Sequence, residues 1–167
     1  MRFILAAVAT VLALSPAWAA DPVGCEQFKW QVTKERALLT TPDLPSLNSG
    51  VDASTLPPLA ATLTLQPAAN AGLPKPSERT QKPGTFAGYL RLGQIPSGIY
   101  AVSVSDYAWI DIVQDGNFLK PTDSSGVSGC NGIRKILKFN LAAGPATVQI
   151  SGVAANTIRL AVTLSVD

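Results

Sequence analysis

The chain has 167 residues, 47% of them hydrophobic and 14% charged, and at this length one domain can bury a core without further crosslinks. It contains no histidine. That excludes Ser-His-Asp and Cys-His catalytic systems, histidine-ligated zinc and the iron site made of two histidines and a carboxylate. The balance of 13 Lys+Arg against 11 Asp+Glu produces no strong field, so we expect no nucleic-acid partner.

The amino terminus has the three parts of a secretory signal. Arg2 supplies the cationic start, residues 3–14 are apolar, and residues 17–19 match the A-x-A cleavage pattern. The apolar run would rise only about 18 Å as a helix, too short for a hydrocarbon core of roughly 30 Å. We therefore predict a signal peptide at 1–19, and no membrane span in a mature protein that is periplasmic or secreted.

Cysteine usage agrees with an oxidising compartment. Cys25 and Cys130 both follow the predicted cleavage site, and no C-x-x-C motif occurs. Two thiols in an exported chain most simply pair with each other, so we predict one disulfide between them.

Proline content separates an amino-terminal arm, residues 20–84, from the rest of the chain. Eight of the 13 prolines lie between positions 42 and 83, which favours irregular coil. We predict one or two helical turns at 33–39 with Thr33 as N-cap, and one short strand at 61–66. The arm is either a disordered linker or a segment packed on a surface, and its scattered leucines favour packing.

From residue 85 onward the pattern is that of short strands. Apolar and polar residues alternate, with Gly, Pro, Asp or Asn between the runs, and Asp115-Gly116 is the strongest hairpin signal. The predicted strands are 86–92, 98–105, 109–114, 117–120, 133–141, 146–152 and 157–165. This spacing predicts an all-β fold, an antiparallel β-sandwich or jelly-roll-like domain at 85–167 with the arm packed on it.

Three motifs of this half resemble a known family. They are G-x-Y-x-V at 98–102, an aspartate-bearing strand at 109–113, and F-x-L-x-A-G at 139–144. Together they resemble the bacterial pre-peptidase C-terminal type of β-sandwich. The resemblance implies a sandwich fold and an accessory role beside secreted hydrolases. The chain as a whole resembles small stand-alone exported bacterial proteins, which implies no particular activity.

Four aspartates, Asp106, Asp111, Asp115 and Asp123, form the main acidic concentration. Turn formation is the favoured interpretation, because Asp suits turns. A calcium site lacks the D-x-D-x-D-G spacing, and a carboxylate pair for hydrolysis is the third alternative. We predict no catalytic residue, no metal site and no cofactor.

Asp111 lies in the middle of a predicted strand, on the same face as Trp109. A solvated face is the favoured interpretation. If the face is buried, the carboxylate needs a cationic partner. Arg134 or Lys135 would supply that partner, in a structural ion pair or in a ligand-binding pair. The loop at 129–135 could also receive an anion, although an outward-facing, solubilising role for its cations is favoured.

Tyr107 and Trp109 could form a platform for a sugar ring, although a strand tryptophan more often belongs to a core. The candidate ligand-binding residues are Tyr107, Trp109, Asp111, Arg134 and Lys135. The leading hypothesis is an exported non-catalytic sandwich that binds an envelope glycan or protein. The alternatives are a structural envelope protein without a small-molecule ligand and an Asp-dependent hydrolase.

Overall fold

The structure, a computed structural model, describes residues 21–165. The predicted signal peptide at 1–19 lies outside these residues. The described chain is an all-β sandwich with mainly antiparallel strands, as the alternation of polar and apolar residues predicted.

The elements follow one another in a simple order. The helix is α1 (Thr33–Thr40), and single 3-10 turns occupy Cys25–Gln27 and Ala68–Asn70. The strands are β1 (Ser46–Asn48), β2 (Leu59–Thr64), β3 (Gln66–Pro67), β4 (Phe86–Ile95), β5 (Gly98–Val104), β6 (Trp109–Gln114), β7 (Asn117–Leu119), β8 (Asp123–Gly126), β9 (Lys135–Leu141), β10 (Gly144–Val153) and β11 (Thr157–Leu164).

Between residues 21 and 165 these strands form two sheets. The six-stranded sheet has the order β1-β2-β11-β5-β9-β8, and the five-stranded sheet has the order β3-β4-β10-β6-β7. All neighbouring strands are antiparallel except β1 and β2, which are parallel. Successive side chains of a strand point to opposite faces, so Ile110 and Ile112 of β6 enter the core between the sheets. Trp109 and Asp111 therefore point away from the core.

The strands predicted from residue 85 onward agree with the structure to within a few residues. The hairpin between β6 and β7 is confirmed, because Asp115 and Gly116 both have positive φ, 50° and 73°, as a type I′ turn requires. β8 was not predicted. Its sequence Asp-Ser-Ser-Gly resembles a turn, and it becomes a strand by pairing with β9.

The arm contains more regular structure than its prolines suggest. The predicted strand at 61–66 corresponds to β2, and β1 and β3 also come from the arm. The predicted N-cap is wrong: Val32 caps α1 without a side-chain hydrogen bond, and Thr33 is the first helical residue. Val32 can act as the N-cap residue because its backbone carbonyl accepts the first hydrogen bond of the helix, from the Arg36 N–H at 2.8 Å.

Both outer faces of the sandwich are covered by arm segments. On the six-stranded sheet, α1 and the residues before it bury a second apolar cluster that includes Phe28, Leu39 and Ile136. The predicted Cys25–Cys130 disulfide is present here, with Trp30 packed against this cluster. On the five-stranded sheet the cover is a proline-rich segment, residues 72–84, which we call the strap. None of the helices in the described chain is long and apolar enough to cross a membrane.

Candidate functional site

The strap is held on the five-stranded sheet by polar groups of β6 and β10. Gln149, which is buried, accepts a hydrogen bond from the Lys75 N–H (3.0 Å) and donates one to the Lys75 carbonyl (2.9 Å). The hydroxyls of Ser77 and Ser151 lie 3.2 Å apart. The strap thereby gains the backbone partners that its prolines cannot supply within the segment itself.

Asp111 lies under the strap with only 5% of its surface exposed. Its carboxylate accepts a hydrogen bond from Trp109 Nε1 at 2.7 Å, and the Ser77 hydroxyl and the Glu78 backbone N–H also donate to it. Burial raises the pKa of Asp111, and these donors oppose part of the rise. The prediction of a solvated face is wrong, because the strap removes this face from water.

The alternative for a buried Asp111, an ion pair with Arg134 or Lys135, is also absent: within residues 21–165 no cation lies within salt-bridge distance of it. Arg134 instead pairs with Asp21 and donates to the Val127 carbonyl at 2.7 Å. Lys135 Nζ donates to the Ala108 carbonyl at 3.3 Å. Burial, followed by nearby guanidinium groups, lowers the pKa of Lys135.

Trp109 is half-buried on the outer face. The Arg79 guanidinium lies over its ring, 4.0 Å from the centroid, and Lys135 Nζ is 5.1 Å from the same centroid. Contacts of this length are favourable cation–π interactions. Trp109 is therefore not an open sugar platform, because the strap already places Arg79 on its ring.

Tyr107 keeps an exposed ring. It follows β5 at the end of the sandwich where the chain crosses to β6, and 58% of its surface is exposed. The Asp106 carboxylate accepts the Tyr107 N–H at 2.6 Å, which holds this short connection. The Arg134 guanidinium lies 5.9 Å from the ring centroid. We call this exposed ring and the two hollows beside it the Tyr107 ridge.

The two hollows of the Tyr107 ridge differ in charge. The amino-terminal hollow, about 380 Å³, is lined by Asp21 and by three cations, Lys29, Arg134 and Lys135. Arg134 pairs with Asp21 and Lys29 pairs with Asp123, whereas Lys135 donates to the Ala108 carbonyl and has no carboxylate partner among the described residues. The strap-side hollow, about 340 Å³, is lined by Arg79 and Lys82 and by no carboxylate residue. An anion therefore meets two cations without a carboxylate partner on the strap side and one on the amino-terminal side.

The wall of the strap-side hollow holds an unpaired acceptor. Gln81 lines the hollow, and its Oε1, which has almost no accessible surface, is the buried side-chain nitrogen or oxygen atom within residues 21–165 that has no hydrogen-bond partner. Buried polar groups are nearly always hydrogen-bonded in native proteins. A donor for this oxygen is therefore missing in the wall of the hollow.

The remaining aspartates act locally. Asp115 occupies the β6–β7 turn, and Asp123 accepts the Ser124 N–H, which together with Lys29 lowers its pKa. Between residues 21 and 165, no three Cys, Asp or Glu side chains are placed to hold a metal ion.

Larger hollows lie elsewhere, on the α1 side. One of about 670 Å³ adjoins the disulfide and another of about 530 Å³ adjoins Gly132 and Arg159. Arg159 donates to the Leu39 carbonyl at 2.8 Å, and Arg36 to the Asn131 carbonyl at 2.9 Å. Their guanidinium groups hold α1 on the sheet, so these hollows are gaps at the edge of that packing.

Comparison with protein-family models, with curated proteins and with solved structures finds no match for this chain. The resemblance to the pre-peptidase C-terminal type of sandwich therefore rests on its three sequence motifs alone.

The structure brings Tyr107, Trp109, Arg134 and Lys135 close to one another and places Asp111 under the strap. Sequence reasoning missed Arg79, Gln81 and Lys82, because their closeness to Trp109 depends on the path of a proline-rich segment. A weak signal was available: charged and amide residues stand together between Pro76 and Pro83.

Proposed function

We propose that this protein is exported to the periplasm or the cell exterior and binds an envelope glycan, without catalysis, at the Tyr107 ridge. The observation that carries the proposal is the 58% exposure of the Tyr107 ring between two hollows. Tyrosine offers a rigid apolar face with a polar tip, a combination suited to a ligand that is partly apolar and partly hydrated. The pyranose ring of a sugar has this mixed character.

The surroundings of the ring support a binding site. Both hollows are of a size at which small-molecule sites begin, and each has polar groups beside an aromatic wall. The Tyr107 backbone N–H is held by the Asp106 carboxylate, which fixes the short connection that carries the ring.

Two further observations support the other parts of the proposal. The Cys25–Cys130 disulfide suits an oxidising compartment, as the predicted signal peptide requires. Asp111, the most deeply buried aspartate of the acidic group, is covered by the strap and held by three donors. A hydrolytic carboxylate pair needs access to the scissile bond, which this position does not give.

A glycan array followed by thermal-shift measurements on residues 20–167 tests the proposal. A ligand at 100 times its Kd should stabilise the fold by about 2.7 kcal/mol, which corresponds to a rise of several degrees in Tm. Tyr107→Ala should abolish the rise while leaving the Tm of the free protein nearly unchanged.

Leu56→Ala is the matched control, because Leu56 is also an exposed apolar residue, 55% accessible, and lines neither hollow of the ridge. It should bind like the wild type. If no glycan raises the Tm, or if Tyr107→Ala and Leu56→Ala bind equally well, the proposal is wrong. A structural envelope protein held by protein contacts would then take precedence.

A further inference from the structure

The strap-side hollow supports a more specific inference, which rests on the proposed function. We propose that it is the subsite for an acidic sugar, one pyranose ring carrying a carboxylate, as in a uronic acid. Arg79 and Lys82 would bind the carboxylate, Gln81 would accept a ring hydroxyl, and Tyr107 would form the wall against which the ring lies.

The charge of the strap-side hollow favours a negatively charged ligand. Arg79 and Lys82 line the hollow, and neither forms an ion pair with any residue between 21 and 165. The contact of Arg79 with the Trp109 ring, 4.0 Å from its centroid, positions the guanidinium through its flat face. Its N–H donors lie at the edge of that plane, and this edge is the part that binds a carboxylate in a bidentate manner.

The wall of the hollow also lacks a hydrogen-bond donor. Gln81 Oε1 is buried and has no donor, which costs free energy in the unliganded protein. A sugar hydroxyl could supply the donor once the Gln81 side chain turns towards the hollow, whereas a fully deprotonated anion offers none. A ligand with a hydroxyl donor and a negative charge on the same small framework therefore suits both Gln81 and the two cations.

The size of the hollow and the side chains of its wall suit a single sugar ring. A hollow of about 340 Å³ lies at the small end of the ligand-pocket range, which favours one ring over several. Thr80, Thr85 and Ser151 add hydroxyl groups to the lining, and Tyr107 adds an aromatic face. These groups suit a polyhydroxylated ring better than an apolar acid.

The test compares a trigalacturonate with its methyl ester, which keeps the sugar framework but replaces each carboxylate by a neutral ester, measured by isothermal titration calorimetry with residues 20–167. The acid should bind about tenfold or more tightly than the ester, because esterification removes the charge-assisted hydrogen bonds. A sulfated neutral trisaccharide serves as the other anionic probe. It should bind more weakly than the uronate, because a sulfate ester places its negative charge farther from the pyranose ring than a carboxylate bonded directly to the ring carbon.

Arg79→Gln and Gln81→Leu should each weaken trigalacturonate binding by about tenfold, and Lys82→Gln by a smaller factor, since lysine binds as a point charge. Lys120→Gln, at an exposed cation that lines no hollow of the ridge, is the control and should bind like the wild type. If Arg79→Gln lowers the Tm of the free protein, the exposed Lys82 provides the charge test without that complication.

The outcomes separate the two proposals. Equal affinity for the acid and its ester, or no loss of affinity in both Arg79→Gln and Lys82→Gln, overturns the acidic-sugar subsite but leaves glycan binding at Tyr107 standing. Tighter binding of the sulfated probe also overturns it. The absence of binding to any saccharide overturns both.

Discussion

Replacing Gln149 by leucine should release the strap while leaving the sandwich folded. The Gln149 side chain is 1% exposed, and its amide forms two hydrogen bonds with the backbone of Lys75, at 3.0 and 2.9 Å. Leucine has a similar volume but can form neither bond. Each bond contributes about 0.5–1.5 kcal/mol net, so the pair contributes about 1–3 kcal/mol.

That free energy should be lost locally. The strap is otherwise attached through the Lys75 side chain, through Ser77 and Glu78, and through the Arg79 contact with Trp109. The strands beneath it are paired along their length. The opening free energy of the strap should therefore fall by more than the free energy of global unfolding. Binding at the Tyr107 ridge should weaken with it, because the strap carries Arg79.

Gln114 provides a matched control. It is also a buried glutamine, 6% exposed, and its amide binds the backbone of Ala142 in the β9–β10 turn and of Pro145 near the start of β10. Gln114→Leu should destabilise the fold by a similar amount without loosening the strap.

Two assays separate these effects. Urea denaturation gives the global free energy of unfolding, and hydrogen exchange of a peptide covering residues 72–84 reports strap opening. Limited trypsinolysis gives an independent readout at Arg79-Thr80, since Lys75 and Lys82 each precede a proline and resist trypsin. The reasoning is refuted if strap exchange and Arg79-Thr80 cleavage are equally fast in Gln149→Leu and Gln114→Leu.

Three further predictions concern stability. The pKa of Asp111 is raised in the folded protein, so protonation of its carboxyl group stabilises the fold. This stabilisation is fully present below the ordinary pKa of 3.8 and is lost as the pH rises through the raised pKa. The free energy of unfolding of Asp111→Asn relative to wild type should therefore fall as the pH drops from neutrality towards 3.8, and urea titrations showing a constant difference would contradict this. Replacing Cys25 and Cys130 together by serine should cost about 4–5 kcal/mol, given their separation of 105 residues; a loss below about 1 kcal/mol in denaturant titrations would count against this loop-closure effect. Gly132→Ala should destabilise by about 1–3 kcal/mol, because φ is +88° and the new Cβ would clash with Thr40 Cγ2. Adding Thr40→Ser should restore part of the Tm, and no recovery would show that the methyl contact is irrelevant.

Much of the fold was predictable because its strands obey a local rule. Residues 109–114 alternate between core and outer face, and β6 has the predicted bounds, Trp109–Gln114. The Asp115-Gly116 turn could also be predicted from the sequence, since few residue pairs readily adopt positive φ at both positions. By contrast, β8 contains Asp, two serines and Gly, and only its pairing with β9 makes it a strand.

The candidate site was predictable only in part, because it depends on contacts distant in sequence. Tyr107 and Trp109 could be chosen as candidate ligand-binding residues from the sequence alone, because an aromatic ring is suited to stacking wherever it lies in the fold. The burial of Asp111 depends on Ser77 and Glu78, more than thirty positions earlier along the chain. No sequence periodicity indicates that the strap passes over β6 at this point. The same is true of Arg79, whose position on Trp109 follows from the path of the strap.

The order of the strands in the six-stranded sheet has a consequence for biogenesis. β2 pairs with β11, so Leu59 lies opposite Val162, about a hundred residues later along the chain. Closing such a long loop is slow, and it cannot begin until β11 has been synthesised. A growing polypeptide therefore cannot complete its sandwich before β11 is made. An incompletely folded chain can still pass through a translocation pore, as the proposed export requires.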